Sequence, residues 1–212
     1  MLADQFFLIS HEDRSGRSRL HPRATGLGLA AGLVGELILH GRVRAFEGEL
    51  YVVSQEPPRD SLAHSVLDLL VAQPQHRDLR TWLAFLAQDA EDKVGERLRR
   101  AGVVEPIVRR KLRGTQTLYM PMNSDQRNVV AWAAVRLADL LIHRRPMNAA
   151  DQALAGLVVA TGLTRHVLWD PASQRDALNQ LSTVVSFLPD DLRELVEHTE
   201  AAIGTVLAAG RR

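Results

Sequence analysis

Eight histidines are the first residues to test for chemistry: His11, His21, His40, His64, His76, His143, His166 and His198. None stands in HxH or HExxH, and none pairs with a carboxylate at metal-ligand spacing. They are expected at exposed positions or helix ends, where His40 suits the negative end of a helix dipole. Cysteine is absent, which removes disulfides, thiolate catalysis and Cys-based zinc sites. Neither G-x-S-x-G nor S-x-x-K occurs. The grouped carboxylates Asp89, Glu91 and Asp92, and Asp190 with Asp191, fall in helix-starting stretches, where capping and dipole effects explain them. Glu36 lies inside the most apolar segment. It is expected to pair with a nearby cation, Arg42 or Arg44, rather than to act as a catalytic acid. No enzyme centre, no metal and no cofactor is expected.

Gly26-Leu27-Gly28-Leu29-Ala30-Ala31 matches the dinucleotide fingerprint G-x-G-x-x-G/A, with Glu47 about 20 residues on. That fingerprint needs a buried strand just before it. Here RSRLHPRAT precedes it, basic and broken by Pro22. Gly28, Gly32 and Gly35 each weaken a helix by roughly 1 kcal/mol relative to Ala. Close approach of another backbone explains them better than a cofactor does.

The formal net charge is only +1, so any attraction to phosphate must come from local patches. The densest is Arg109, Arg110, Lys111 and Arg113, on a hairpin tipped by Gly114 and followed by Leu118, Tyr119 and Met120. Such cations contribute about 1 kcal/mol each near an anionic lipid surface. They suit nucleic-acid phosphates as well, or a hairpin that is simply solvated or pairs with a second copy. A second basic stretch holds Arg14, Arg17, Arg19 and Arg23.

The elements that must position these groups are mostly helical. Ala and Leu dominate a composition with 5% aromatics, which favours helix. Leu2, Phe6 and Ile9 mark a short first helix, and EDRSGRSRLHPR must be a loop. Thr25 is placed to cap a helix ending at Gly41, with Leu27, Val34, Leu37 and Ile38 as its buried stripe. RVRAF and ELYVV around Glu47-Gly48 read as a hairpin. Leu62, Val66, Leu69 and Leu70 mark a helix, as do Leu79, Leu83 and Leu86, and then Val94, Leu98 and Ala101. A second hairpin spans 104–120, and helices are expected at about 124–143, 149–161, 172–187 and 190–208. Twice a helix ends in Gly and a basic hairpin follows (LILHGRVRAF and LRRAGVVEP). The most apolar run, Ala24 to Leu39, contains Glu36 and falls short of the about 20 residues of a membrane span. MLADQFFLIS lacks the features of a secretory signal, so a cytoplasmic protein is expected.

LADQFFLISHEDRSG, GLGLAAGLVGELILHGRV, LDLLVAQPQHRDLRTWLAFL and VGERLRRAGVVE together resemble the Golgi phosphoprotein 3 family. The segment 26–43, with E-L-x-L-x-G-R, is the most specific part. The resemblance implies a mainly α, bundle-like single domain over 1–212 with one or two small β-hairpins. It implies a non-enzymatic adaptor that binds phosphatidylinositol 4-phosphate on Golgi membranes in eukaryotes and retains glycosyltransferases. The hairpin contributes to membrane contact or self-association. The family's lipid pocket has a Trp in the first loop and an Arg on the next helix; those positions hold His21 and Ala30 here. Its second basic pair falls near Gln88 and Glu91. Within that resemblance, His21 and Arg23 at the mouth of the glycine-rich helix are the candidate anion site, assisted by helix N-terminal N–H groups.

The expected activity is therefore peripheral binding of anionic, phosphoinositide-like headgroups at the inner face of the membrane. The candidate residues are His21, Arg23, Arg109, Arg110, Lys111 and Arg113, with homo-oligomerisation through the 104–120 hairpin and no nucleic acid expected. Two alternatives stand beside it. DKVGERLRRAGVVEP before a basic hairpin is similar to a winged-helix recognition helix and wing. Leu118, Tyr119 and Met120 suit a self-associating scaffold without a small ligand.

Overall fold

Helix α2 (Pro22–Leu39) is the axis on which the other elements pack. In a computed structural model that describes residues 1–111, 114–169 and 171–209, it is buried from Ala24 to Leu37 with no exposed face. A helix apolar on all sides is a core helix. Burial is thus wider than the stripe of Leu27, Val34, Leu37 and Ile38 expected from periodicity. Its start also lies earlier than Thr25. His21 is the N-cap and Pro22 opens the helix, where a missing N–H is harmless and the fixed φ already suits. The Thr25 hydroxyl instead lies 2.6 Å from that of Ser18.

Helix α1 (Leu2–Ser10) lies across the glycines of α2. A Cβ on Gly32 would fall 2.8 Å from the Cα of Ala3, one on Gly28 would strike the Phe6 ring, and one on Gly35 would sit 2.7 Å from Leu2 Cδ2. The glycines serve backbone approach, and a loop rather than a strand leads into α2. The cofactor alternative is gone.

Gly41, at φ +66°, ends α2 and leads into β1 (Val43–Phe46) and β2 (Glu49–Val52). Glu47 and Gly48 both have positive φ, 53° and 78°, as a two-residue hairpin turn requires. Three helices follow: α3 (Ser61–Ala72), α4 (Leu79–Leu86) and α5 (Ala90–Arg100). The buried face of α3 is Ala63, Val66, Leu67 and Leu70, rotated from the expected one because Leu62 and Leu69 are only half-buried.

Strands β3 (Val104–Lys111) and β4 (Gly114–Pro121) form the second hairpin. Then come α6 (Ser124–Ile142), α7 (Ala149–Ala160), the short α8 (Thr164–Val167), α9 (Pro171–Ser186) and α10 (Asp190–Ala209). The sequence pattern gives no sign of α8, which is a single turn. Helix α10 packs on both α2 and α7, so one apolar cluster runs from Leu2 to Ile203. The structure is 62% helical with two small antiparallel sheets, the mainly α class expected.

Candidate functional site

Glu36, the acid inside the apolar helix, is 2% exposed. Its carboxylate accepts the Ala3 backbone N–H at 2.9 Å and both terminal nitrogens of Arg97 at 3.1 Å. Arg97 also donates through Nε to Asp4 at 2.8 Å and through Nη1 to Asp60 at 2.9 Å. Burial raises the Glu36 pKa, and the Arg97 hydrogen bond and charge oppose that rise. Burial works against the Arg97 charge too, yet Glu36, Asp4 and Asp60 together lift its pKa above the ordinary value. Four elements meet here: the first turn of α1, the body of α2, the N-cap of α3 and the last turn of α5. The group is a structural tie and corrects the expected partner of Glu36. Arg42 pairs with Glu56 at 2.8 Å and Arg44 with Asp191 at 3.3 Å. Arg97 was legible in one respect, for it sits three residues after Val94, on the apolar side of α5.

His11 is the C-cap of α1, a helix-end position as expected, and is 3% exposed. Its ring stacks on Phe7 with centroids 4.0 Å apart. Nδ1 lies 2.9 Å from the Phe7 carbonyl and Nε2 3.1 Å from Glu91 Oε1. Beside it is Tyr119 of β4, edge-on to Phe7 at 5.0 Å, whose hydroxyl donates to Asp92 at 2.9 Å. Burial and the Asp92 carboxylate push the Tyr119 pKa up, keeping it a neutral donor. Gly95 leaves room for its ring, since a Cβ there would collide with it.

Tyr119 fixes the base of the β3–β4 arm and ties it to the first loop. The register sets Pro106 opposite Tyr119. Proline has no N–H, so this pair exchanges no ladder bonds, and the Tyr119 N–H points away from β3. It donates to the Gly16 carbonyl at 3.0 Å. Gly16 has φ +63°, and a Cβ there would lie 2.8 Å from the Tyr119 backbone, so only glycine fits. Arg14 and Arg17, both exposed, flank this glycine. The fold therefore brings the loop that carries Arg14 and Arg17 beside the β3–β4 arm.

Leu118 and Tyr119 are buried in this core, at 2% and 5% exposure, and Met120 is half-buried. The apolar residues that suggested self-association are engaged within the chain. Nearer the tip, Ile107 and Val108 are 41% and 65% exposed, and Arg109 and Arg110 are exposed with no ion pair among the described residues. Arg113 lies outside the described residues, as does the side chain of Lys111.

His21 and Arg23 are exposed at the start of α2. The N–H groups expected to help an anion there are already engaged. Arg23 N donates to His21 Nδ1 at 3.3 Å, and Ala24 and Thr25 donate to the His21 carbonyl at 2.8 and 3.0 Å. Ala30 is fully buried, Gln88 is exposed and Glu91 is bound to His11. Of the four positions aligned with the family's lipid pocket, only Ala30 belongs to the core, and only Glu91 is a carboxylate. On α5, Arg99 and Arg100 both donate to Glu96, at 2.6 and 2.8 Å, which holds the Glu96 carboxyl down to about 2. A recognition helix would turn such arginines to phosphate.

Among the described residues no group of His, Asp and Glu is arranged to hold a metal ion, and no helix is long and apolar enough to cross a membrane. No curated protein matches the chain. A family model does, the one described as Golgi phosphoprotein 3 (GPP34), over residues 2–199. That span covers α1 through the first half of α10, including the Gly-rich axis, the Glu36–Arg97 tie and both hairpins. The chain belongs to the Golgi phosphoprotein 3 family.

Proposed function

We propose that this protein is a non-enzymatic module that binds anionic membrane surfaces through the β3–β4 arm. One observation carries the reading: an arm locked at its base by Tyr119 presents exposed Ile107 and Val108 next to exposed Arg109 and Arg110. Alternation along a strand puts Ile107 with Arg109 on one face and Val108 with Arg110 on the other. Either face offers apolar area to the acyl boundary and a cation to the headgroups, the combination that favours interfacial binding. Arg14 and Arg17, on the loop bonded to β4, add charge beside the arm. Lys111 and Arg113 extend the basic run in sequence.

The reading is for anionic headgroups in general. Phosphoinositide selectivity would rest on His21 and Arg23, whose neighbouring N–H groups are occupied. Co-sedimentation with phosphatidylcholine vesicles, with and without phosphatidylserine or phosphatidylinositol 4-phosphate, tests both levels. Binding to either anionic mixture at low salt, weakened at physiological salt, is the expected result. Preference for the phosphoinositide at equal vesicle charge would restore the selective pocket. No sedimentation with any anionic mixture at either salt removes the membrane reading.

A further inference from the structure

A cavity of about 180 Å³ lies apart from the arm tip, between α1, the first loop, α6 and the segment after α8. One part of its wall carries nitrogen donors: Arg19 and His166 both line it. Among the described residues Arg19 has no carboxylate within ion-pair distance, although it is half-buried. The nearness of the two groups shows in His166, whose pKa is lowered by burial and then by the Arg19 charge, against a smaller pull from Glu12. The wall thus sets one cation, Arg19, beside the His166 imidazole, with no carboxylate in ion-pair distance of either among the described residues. The rest of the wall includes Val130 and Ala134 of α6, and Trp169 stands at it with 77% of its surface exposed.

We infer that this cavity is a binding site for a small acid with a compact apolar body, an aryl or short-chain phosphate monoester or carboxylate. The acidic group meets Arg19 and His166, and the apolar body rests on Val130 and Ala134 under Trp169. The size sets the class. Water takes about 30 Å³ a molecule, so the cavity holds a single ring and one acidic group. It falls below the roughly 300 Å³ of sites for larger ligands, which favours a compact acid over the acyl chain of a membrane lipid. Asp13 also lines the wall and opposes a polyanion, so nucleotides and inositol polyphosphates are disfavoured. The site is independent of the membrane reading, because none of the cavity residues is on the arm.

Phenyl phosphate is the probe. In amide and indole NMR spectra of the full chain, it should shift the Trp169 indole and the amides of Arg19 and His166. Benzyl alcohol, without the charge, and inorganic phosphate, without the ring, should each bind at least tenfold more weakly. Arg19→Gln should cost tenfold or more in affinity, whereas Arg109→Gln with Arg110→Gln should cost nothing here. If Arg19→Gln does not fold, Ala134→Leu decides instead, because it fills the apolar end while keeping every charge and should abolish the Trp169 shift. Equal binding of phenyl phosphate and benzyl alcohol overturns the inference, and so does a phenyl phosphate response that survives Ala134→Leu unchanged. Absence of any shift at Trp169, Arg19 and His166 in the wild-type protein also overturns it.

Discussion

Arg97 and the pair Arg109–Arg110 lie on adjacent elements, α5 and β3, and have opposite surroundings. Arg97 is 11% exposed and touches Asp4, Glu36 and Asp60. Arg109 and Arg110 are exposed on the arm and touch no carboxylate among the described residues. The difference teaches that an arginine's role follows from its neighbours, not from its density in sequence. The cation that matters most for the fold stands in a stretch where Arg99 and Arg100 are merely paired to Glu96. Those that suit a partner stand where the chain has run beyond its own core. The junction around Arg97 is where stability concentrates, and the arm is where binding does.

Arg97→Met should break the comparison most forcefully on the stability side. Removing one member of a buried ion group costs about 3–5 kcal/mol, read from urea unfolding. A loss below about 1 kcal/mol would mean the tie is ornamental. Adding Glu36→Gln should recover part of the loss, since the orphaned charge goes with it. The pH dependence sharpens the point. Without its guanidinium partner, the buried Glu36 carboxyl has a folded pKa above its unfolded one. The folded state then binds the proton more readily, so the deficit of Arg97→Met against wild type should narrow as pH falls through that raised pKa toward the ordinary 4.5. A deficit unchanged by acid would show that no carboxyl is left uncompensated by the loss of Arg97.

Next in size is binding through the arm. Arg109→Gln with Arg110→Gln should weaken association with anionic vesicles by roughly 30-fold, at about 1 kcal/mol per cation. Stability should stay within about 0.5 kcal/mol of wild type. If the double variant unfolds more easily instead, the arm is part of the core and the contrast fails. Gly32→Ala probes the junction more gently. A Cβ placed 2.8 Å from the Ala3 backbone should lower stability by about 1–2 kcal/mol through overpacking, despite the better helix propensity of Ala. A stabilised variant would show that α1 moves away at little cost.

The two hairpins show how far sequence reading reached. Both were legible from their helix-ending glycines and short apolar runs, because turn chemistry and strand alternation are local properties. Their different fates were not. The β1–β2 hairpin lies against α10, where the Gly48 N–H donates to the Glu194 carboxylate and Arg44 meets Asp191. Those partners are about a hundred and fifty residues away in the chain. In β3–β4, Leu118 and Tyr119, which had suggested a self-associating surface, are buried. The neighbours of Tyr119, Phe7, His11 and Asp92, come from α1 and α5. His11 looked like any helix-end histidine until Glu91, eighty positions on, closed over it.

The sequence alone settled what depends on near neighbours: the helical class, the glycine-lined axis, the turns, the lack of cysteine chemistry, and the family kinship carried by residues 26–43. The tertiary structure decided which charges are internal and which face outward. Burial and pairing depend on residues that are distant in sequence and adjacent only after packing, and the cost of leaving a buried charge unpaired selects Arg97 for the inside. The arm's length beyond the core then leaves Arg109 and Arg110 in water.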